Sequence, residues 1–237
     1  MSTKKYFSTF LVLFCLILIY FSSCSYSAQI NYEELLANAP GVNIQNDGST
    51  LVVSSDDAEN AIIFYPGGFV NYEAYLPLMI EIAKKNIKCF LVQMPSDLAI
   101  FYINAADRYF VNYPEVKNWY IGGHSLGGAM AAKYISENSS KCKGLILLAA
   151  YSTEDLTGSG LKVLSLYGSN DGVLNKENYN KYLSNLPSDA TEHIIQGGNH
   201  SQFASYGFQK GDGTAEISTQ EQWQEAASYI EELCKAD

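Results

Sequence analysis

An α/β fold, with a mostly parallel sheet between two helical layers and an antiparallel hairpin leading it, follows from three observations. Short apolar runs recur at residues 61–64, 89–92, 119–121, 145–150 and 163–166. They are continuous rather than alternating, as expected of parallel strands buried on both faces. Segments of helical periodicity lie between them, and such alternation builds a parallel sheet through right-handed crossovers. Residues 42–45 and 51–53 flank Asn46-Asp47-Gly48, a hairpin signal ahead of the whole array.

The chain begins differently. Lys4 and Lys5 precede an uncharged run at residues 10–21, FLVLFCLILIYF. As a helix that run would cover about 18 Å, short of the roughly 30 Å hydrocarbon core of a bilayer. A basic flank, a short apolar core and then small residues make the layout of an export signal. Phe21-Ser22-Ser23-Cys24 resembles a bacterial lipobox, in which the cysteine is lipidated and becomes the new N-terminus. Cleavage after Ser27 by ordinary signal peptidase is the alternative. Residues 1–23 are therefore read as a lipoprotein-type signal peptide, 24–40 as a tether and 41–237 as one domain without a linker-like break. The expected location is outside the cell, held at the membrane by a lipid on Cys24 or by an uncleaved leader; secretion is the alternative.

Behind the hairpin, Tyr72, Leu76, Met79, Ile80 and Ala83 share one helical face, with Pro77 either opening the helix or kinking it. Residues 126–137 form a second helix. Trp223, Ala226, Ala227, Ile230 and Leu233 stripe a third, fronted by Ser218 and Glu221 as a capping box.

Composition narrows the function classes. Hydrophobic residues at 47% and charged residues at 17% exclude a disordered, collagen-like or coiled-coil chain. A net charge of −10 leaves no basic patch to replace phosphate counterions, which argues against nucleic acid as a partner. Without Lys4 and Lys5, 13 basic side chains face 25 acidic ones. Cys89, Cys142 and Cys234 lack CxxC spacing, so no metal site is expected and at most one disulfide. Cys89 reads as a small buried hydrophobe. Gly211-Asp212-Gly213 reads as a surface turn in preference to a calcium loop. The expected state is a monomer.

The chemistry begins after residue 121, where Gly122-Gly123-His124-Ser125-Leu126-Gly127-Gly128 leads straight into a helix. This is a G-x-S-x-G nucleophile elbow in a strand–turn–helix setting. So tight a turn needs small residues two before and two after the nucleophile, and Gly123 and Gly127 stand there. A serine attacks only when a base removes its proton, and the base needs an orienting partner. Of three histidines, His124 lies inside the elbow and reads as a packing residue. His193 lies in an alternating strand, on its exposed face. His200, in a loop after that strand, is the base candidate. Asp171, in the turn-rich loop after residues 163–166, is the orienting acid, giving the order Ser125, Asp171, His200. Two backbone N–H groups are needed for an oxyanion hole. One comes from Leu126 and the other from Gly68 or Phe69, in the glycine-rich loop after residues 61–64.

Together these blocks resemble the alpha/beta hydrolases, from about residue 61 to the C-terminus. They are most similar to the small lidless subgroup called fold family five, near the dienelactone hydrolase and esterase branches. YPGGFV, VQMPSDLAIF, GGHSLGG, LYGSNDG, GGNHSQF and GDGTAEIS carry the likeness. Dienelactone hydrolases proper place cysteine at the elbow and dehalogenases aspartate, so Ser125 points away from both. The resemblance implies an alpha/beta hydrolase fold and a serine hydrolase acting on a small-molecule carboxylic ester through an acyl-enzyme, with no cofactor. Two alternatives use the same residues: an acyltransferase, or a cell-surface lipoprotein that binds a ligand without turnover. Only residues 151–162 separate two strands where relatives insert a cap, so no lid is expected and interfacial lipase behaviour is disfavoured. Met94, Phe101 and Tyr151, with Phe69, are expected to line the open pocket.

Overall fold

The computed structural model describes residues 25–55 and 58–235; Cys24 and the leader before it lie outside the described residues. Eight strands form one sheet: β1 Asn43–Asn46, β2 Thr50–Ser54, β3 Asn60–Tyr65, β4 Ile87–Val92, β5 Asn118–His124, β6 Gly144–Leu148, β7 Lys162–Gly168 and β8 Thr191–Ile195. Their spatial order is β1-β2-β4-β3-β5-β6-β7-β8. The first two join antiparallel through the Asn46-Asp47-Gly48 turn, closed by reciprocal Asp47–Thr50 backbone hydrogen bonds of 2.9 and 3.2 Å. β2 meets β4 antiparallel, and every pairing from β4 to β8 is parallel.

The apolar runs are buried strands, as their continuity required. β6 is buried along its whole length, and β5 at all but its first residue. Helices cover both faces. On one lie α2 (Leu76–Ala83) and the C-terminal α6 (Thr219–Lys235), and on the other α3 (Asp107–Asn112) and α4 (Leu126–Glu137). Two smaller helices, α1 (Tyr32–Ala37) and α5 (Lys176–Tyr182), complete the set. Pro77 sits in the first turn of α2 and so opens it, because the missing N–H is one the helix start would leave unpaired anyway. The capping box ahead of α6 is formed: Glu221 accepts the Ser218 N–H at 2.7 Å and donates its own N–H to Ser218 Oγ at 3.2 Å.

Three expectations change. Residues 25–39 are packed rather than a free tether: Ala39 is buried and Tyr26, Ala28, Ile30 and Leu35 lie against the core. Met94 is 3% exposed and belongs to the same core cluster as Val92, Ala99 and Ala105, so it is a core residue and not a rim residue. His193 is half-buried, stacked on Tyr229 at 3.9 Å with Nε2 2.6 Å from Glu225. Cys89, Cys142 and Cys234 are free thiols, and burial raises the pKa of all three.

Candidate active site

Parallel strands end at a common edge, so the loops following β3, β5, β7 and β8 gather there. The β5–α4 turn is the sharpest of them. Ser125 adopts φ 52°, ψ −122°, a left-handed conformation that a side-chain-bearing residue holds only when its surroundings enforce it. Enforcement comes from Ser125 N–H donating to Leu148 O at 2.9 Å, and from Ala129 N–H donating back to Ser125 O at 3.1 Å. The elbow also lies against the β3 end: a Cβ on Gly123 or Gly127 would run into the Tyr65 carbonyl oxygen. Larger residues there would push β3 and the elbow apart.

His200 follows β8 and Asp171 follows β7, and their side chains meet. His200 Nδ1 lies 2.9 Å from Asp171 Oδ2, with both side chains enclosed. Asp171 Oδ1 accepts the Val173 and Leu174 amides at 2.8 and 2.7 Å. The carboxylate is thus fixed at one oxygen by backbone and aims the other at the imidazole. That contact puts the ring proton on Nδ1 and leaves Nε2 free to accept. Ser125 Oγ and His200 are not hydrogen-bonded to each other in this structure. Such contacts are often long in a resting site and tighten around a substrate.

A second buried carboxylate sits behind this pair. Asp212 Oδ1 accepts N–H groups from Gly172 (3.1 Å) and His200 (3.2 Å), and Oδ2 accepts the Ser201 N–H (2.8 Å) and hydroxyl (2.6 Å). One side chain therefore ties the acid loop to the base loop. Gln222 on α6 adds a second clamp, accepting Asn199 N–H at 3.0 Å and donating to Asn199 O at 2.8 Å. The reading of Gly211-Asp212-Gly213 as a surface turn is corrected here, since Asp212 is buried and fully engaged. The available signal was its flanking glycines, which let main chains approach: a Cβ on Gly213 would strike Asn170 O.

His124 packs, as its place in the elbow implied, but it packs beneath His200, ring centroids 4.4 Å apart. Tyr75 hydroxyl accepts the Gly67 N–H at 2.9 Å and is hydrogen-bonded to His124 Nδ1 at 2.7 Å. This chain connects the glycine-rich loop after β3 to the underside of the base. His124 Nε2 is buried beside the His200 backbone and makes no hydrogen bond of full geometry. Burial, with the neighbouring His200 adding to it, pushes the His124 pKa well below the usual histidine value. An unfolded chain takes up a proton near pH 6.5 that the folded one refuses, so stability falls as pH drops below that point. The expected slope from this one group is up to about 1.4 kcal/mol per pH unit. Urea unfolding of the parent and of His124→Asn at pH 7 and 5.5 measures it, and equal losses in the two proteins would refute it.

Around the rim, Phe69 has φ 59° and its N–H donates to Asp97 O at 2.9 Å. Leu126 is the first residue of α4, where backbone N–H groups have no intrahelical acceptor. Leu98 lies against Gly68, Phe101 is exposed, and Tyr151 is half-buried and stacked on Tyr182 at 5.5 Å. No cluster of metal-ligating side chains occurs among the described residues.

A family model for the alpha/beta hydrolases matches residues 61–224. This chain belongs to the alpha/beta hydrolase family. The match takes in the elbow, both loops of the Asp171–His200 pair and Asp212. No curated protein matches the sequence. Among solved structures, a predicted CIB-like hydrolase from Thermoplasma acidophilum is 16% identical with a TM-score of 0.60, covering 81% of this chain and all of its own. Est1E from Butyrivibrio proteoclasticus is 11% identical with a TM-score of 0.58, covering 83% of this chain and 100% of its own. Est1E is also known with ferulic acid bound; that structure is 12% identical, TM-score 0.60, and covers 84% of this chain and 98% of its own. At these identities the likeness is one of fold, and the hydrolase family membership rests on the sequence match.

Proposed function

We propose that this alpha/beta hydrolase is a serine esterase, cleaving a carboxylic ester by acyl transfer to water. The observation that carries the reading is the shared sheet edge. It bears a strained Ser125 on the β5–α4 turn and, from β7 and β8, the enclosed Asp171–His200 pair at 2.9 Å. In this reading His200 Nε2 takes the Ser125 proton as Oγ attacks the ester carbonyl, and Asp171 stabilises the resulting imidazolium. The oxyanion forms between Leu126 N–H and Gly68 N–H. Gly68 is preferred to Phe69 because the Phe69 N–H is already given to Asp97. His200 then protonates the leaving alcohol, and water releases the acyl group by the same steps in reverse. A fluorophosphonate probe is expected to label the protein once, on the peptide containing Ser125, as read by mass spectrometry. Labelling elsewhere, or none, overturns the assignment.

We also propose that the enzyme is exported and held at the membrane through Cys24. Lys4 and Lys5, the apolar run at 10–21 and Phe21-Ser22-Ser23-Cys24 support it.

A further inference from the structure

The first described residues do not lead away from the domain. They run across its catalytic face. Tyr26 N–H donates to Phe69 O at 2.7 Å and Asn71 N–H donates to Tyr26 O at 2.9 Å, pairing the segment with the glycine-rich loop. Ser25 Oγ donates to Asp97 at 3.1 Å. On the other side the Tyr26 ring meets Tyr206 at 5.2 Å, and Gln29 is bonded to Ser205 by both its N–H and its carbonyl, each at 2.7 Å. The N-terminal segment is therefore sewn between the loop that offers the oxyanion amides and the loop that follows His200.

Apolar surface collects on the same face. Seven large hydrophobic side chains are exposed among the described residues, and four of them flank this seam: Ile100 at 45%, Phe101 at 62% and Tyr102 at 39% on the Asp97 side, Phe208 at 64% beyond Tyr206. Two residues of chain span at most about 7 Å, so an anchor at Cys24 lies within that distance of Tyr26. The mature chain carries 13 basic and 25 acidic side chains, so charge does not draw it to an anionic bilayer. Tether position and apolar rim must do so.

We propose that this face is held against the bilayer that carries the anchor, and that the ester it cleaves is presented by that bilayer. The substrate class is a membrane amphiphile whose acyl carbonyl lies at the interface. The proposal rests on the esterase reading and on the Cys24 anchor. With no helix or strand between Leu148 and Lys162 there is no lid to drive interfacial activation, which the short connection disfavours; the tether takes that part by holding the face at the interface.

Full-length lipidated protein in phosphatidylcholine vesicles tests it, with a long-chain acyl ester in the bilayer and a short-chain ester in solution as paired substrates. A flexible Gly/Ser insert of about twenty residues between Ser25 and Tyr26 frees the face to a reach of roughly 25 Å. It is expected to lower turnover of the bilayer ester by about ten-fold through lost effective concentration, with the soluble ester unchanged. Phe208→Ser is expected to lower bilayer turnover in the same direction and leave the soluble ester alone. Equal bilayer turnover by parent and insert variant, or a parent that does not stay on vesicles, overturns the proposal. A parent inactive on soluble esters overturns the esterase reading instead, and the two failures are read from separate substrates.

Discussion

Ser125→Ala is expected to lower kcat by about 10⁴–10⁶-fold and to abolish fluorophosphonate labelling, with the fold intact. Removing the serine or the histidine of a serine–histidine–aspartate unit costs nearly as much as removing all three, because the oxyanion amides and binding groups alone supply only a residual rate. The backbone gives this experiment an internal control. At φ 52°, ψ −122°, serine and alanine bear the same conformational cost, on the order of 1–3 kcal/mol, which a glycine escapes. Ser125→Gly should therefore be as inactive as Ser125→Ala yet more stable by about 1–2 kcal/mol. Thermal unfolding of the three proteins checks the second part. An alanine variant retaining more than a hundredth of parental kcat removes Ser125 from the chemistry.

Asp212→Ala is expected to be the most damaging change outside the reacting groups. It leaves the Gly172, His200 and Ser201 amides and the Ser201 hydroxyl without their acceptor. Each buried donor so stranded costs about 1–3 kcal/mol, and water entering the gap recovers part of it. A net loss of roughly 3–5 kcal/mol corresponds to about 8–15 °C in Tm for a domain of this size. Activity should fall by around 10²-fold, since the base and acid loops lose their common tie and displacement of about 1 Å is enough for that. Asp212→Asn keeps one acceptor oxygen but turns an NH₂ towards a donor, so it should fall between parent and alanine variant. The loss belongs in kcat more than in KM, because Asp212 touches His200 and not the rim. An Asp212→Ala protein with parental kcat would show that the loops hold their geometry without it.

What the sequence made legible was whatever local patterning determines. The five apolar runs are strands, the Asn46-Asp47-Gly48 turn is a hairpin, and the elbow stands at the strand–helix junction. Strand ends were less legible. β5 continues through Gly122 and Gly123 to His124 because β6 pairs with it there, and pairing overrides what two glycines alone would imply. β6 stops at Leu148, short of the apolar run, because Ala149 turns left-handed at φ 47° and gives its N–H to Leu166. The short helical turns between Pro95 and Ala106 carry no periodic signal, and tertiary contacts shape them. Asp171 and His200 were legible through strand order, whereas Asp212 was not. Apart from the adjacent Gly213 amide its partners lie eleven to forty positions away, and only the folded loops bring them together. Docking of residues 25–39 escaped for the same reason.

The short β6–β7 connection has one more consequence, for how this enzyme could change over time. Because β5, β7 and β8 align Ser125, Asp171 and His200 through the sheet, the rim segments at 98–102 and 151–161 carry almost none of that alignment. Substitutions at their exposed positions, such as Ile100 and Phe101, would alter which acyl group or alcohol is accepted with little penalty in folding, whereas Ala99, Leu156 and Leu161 belong to the core. Substrate range is then free to drift while the chemistry stays fixed, and a cap could be acquired at the exposed turn 157–160 without rebuilding the core.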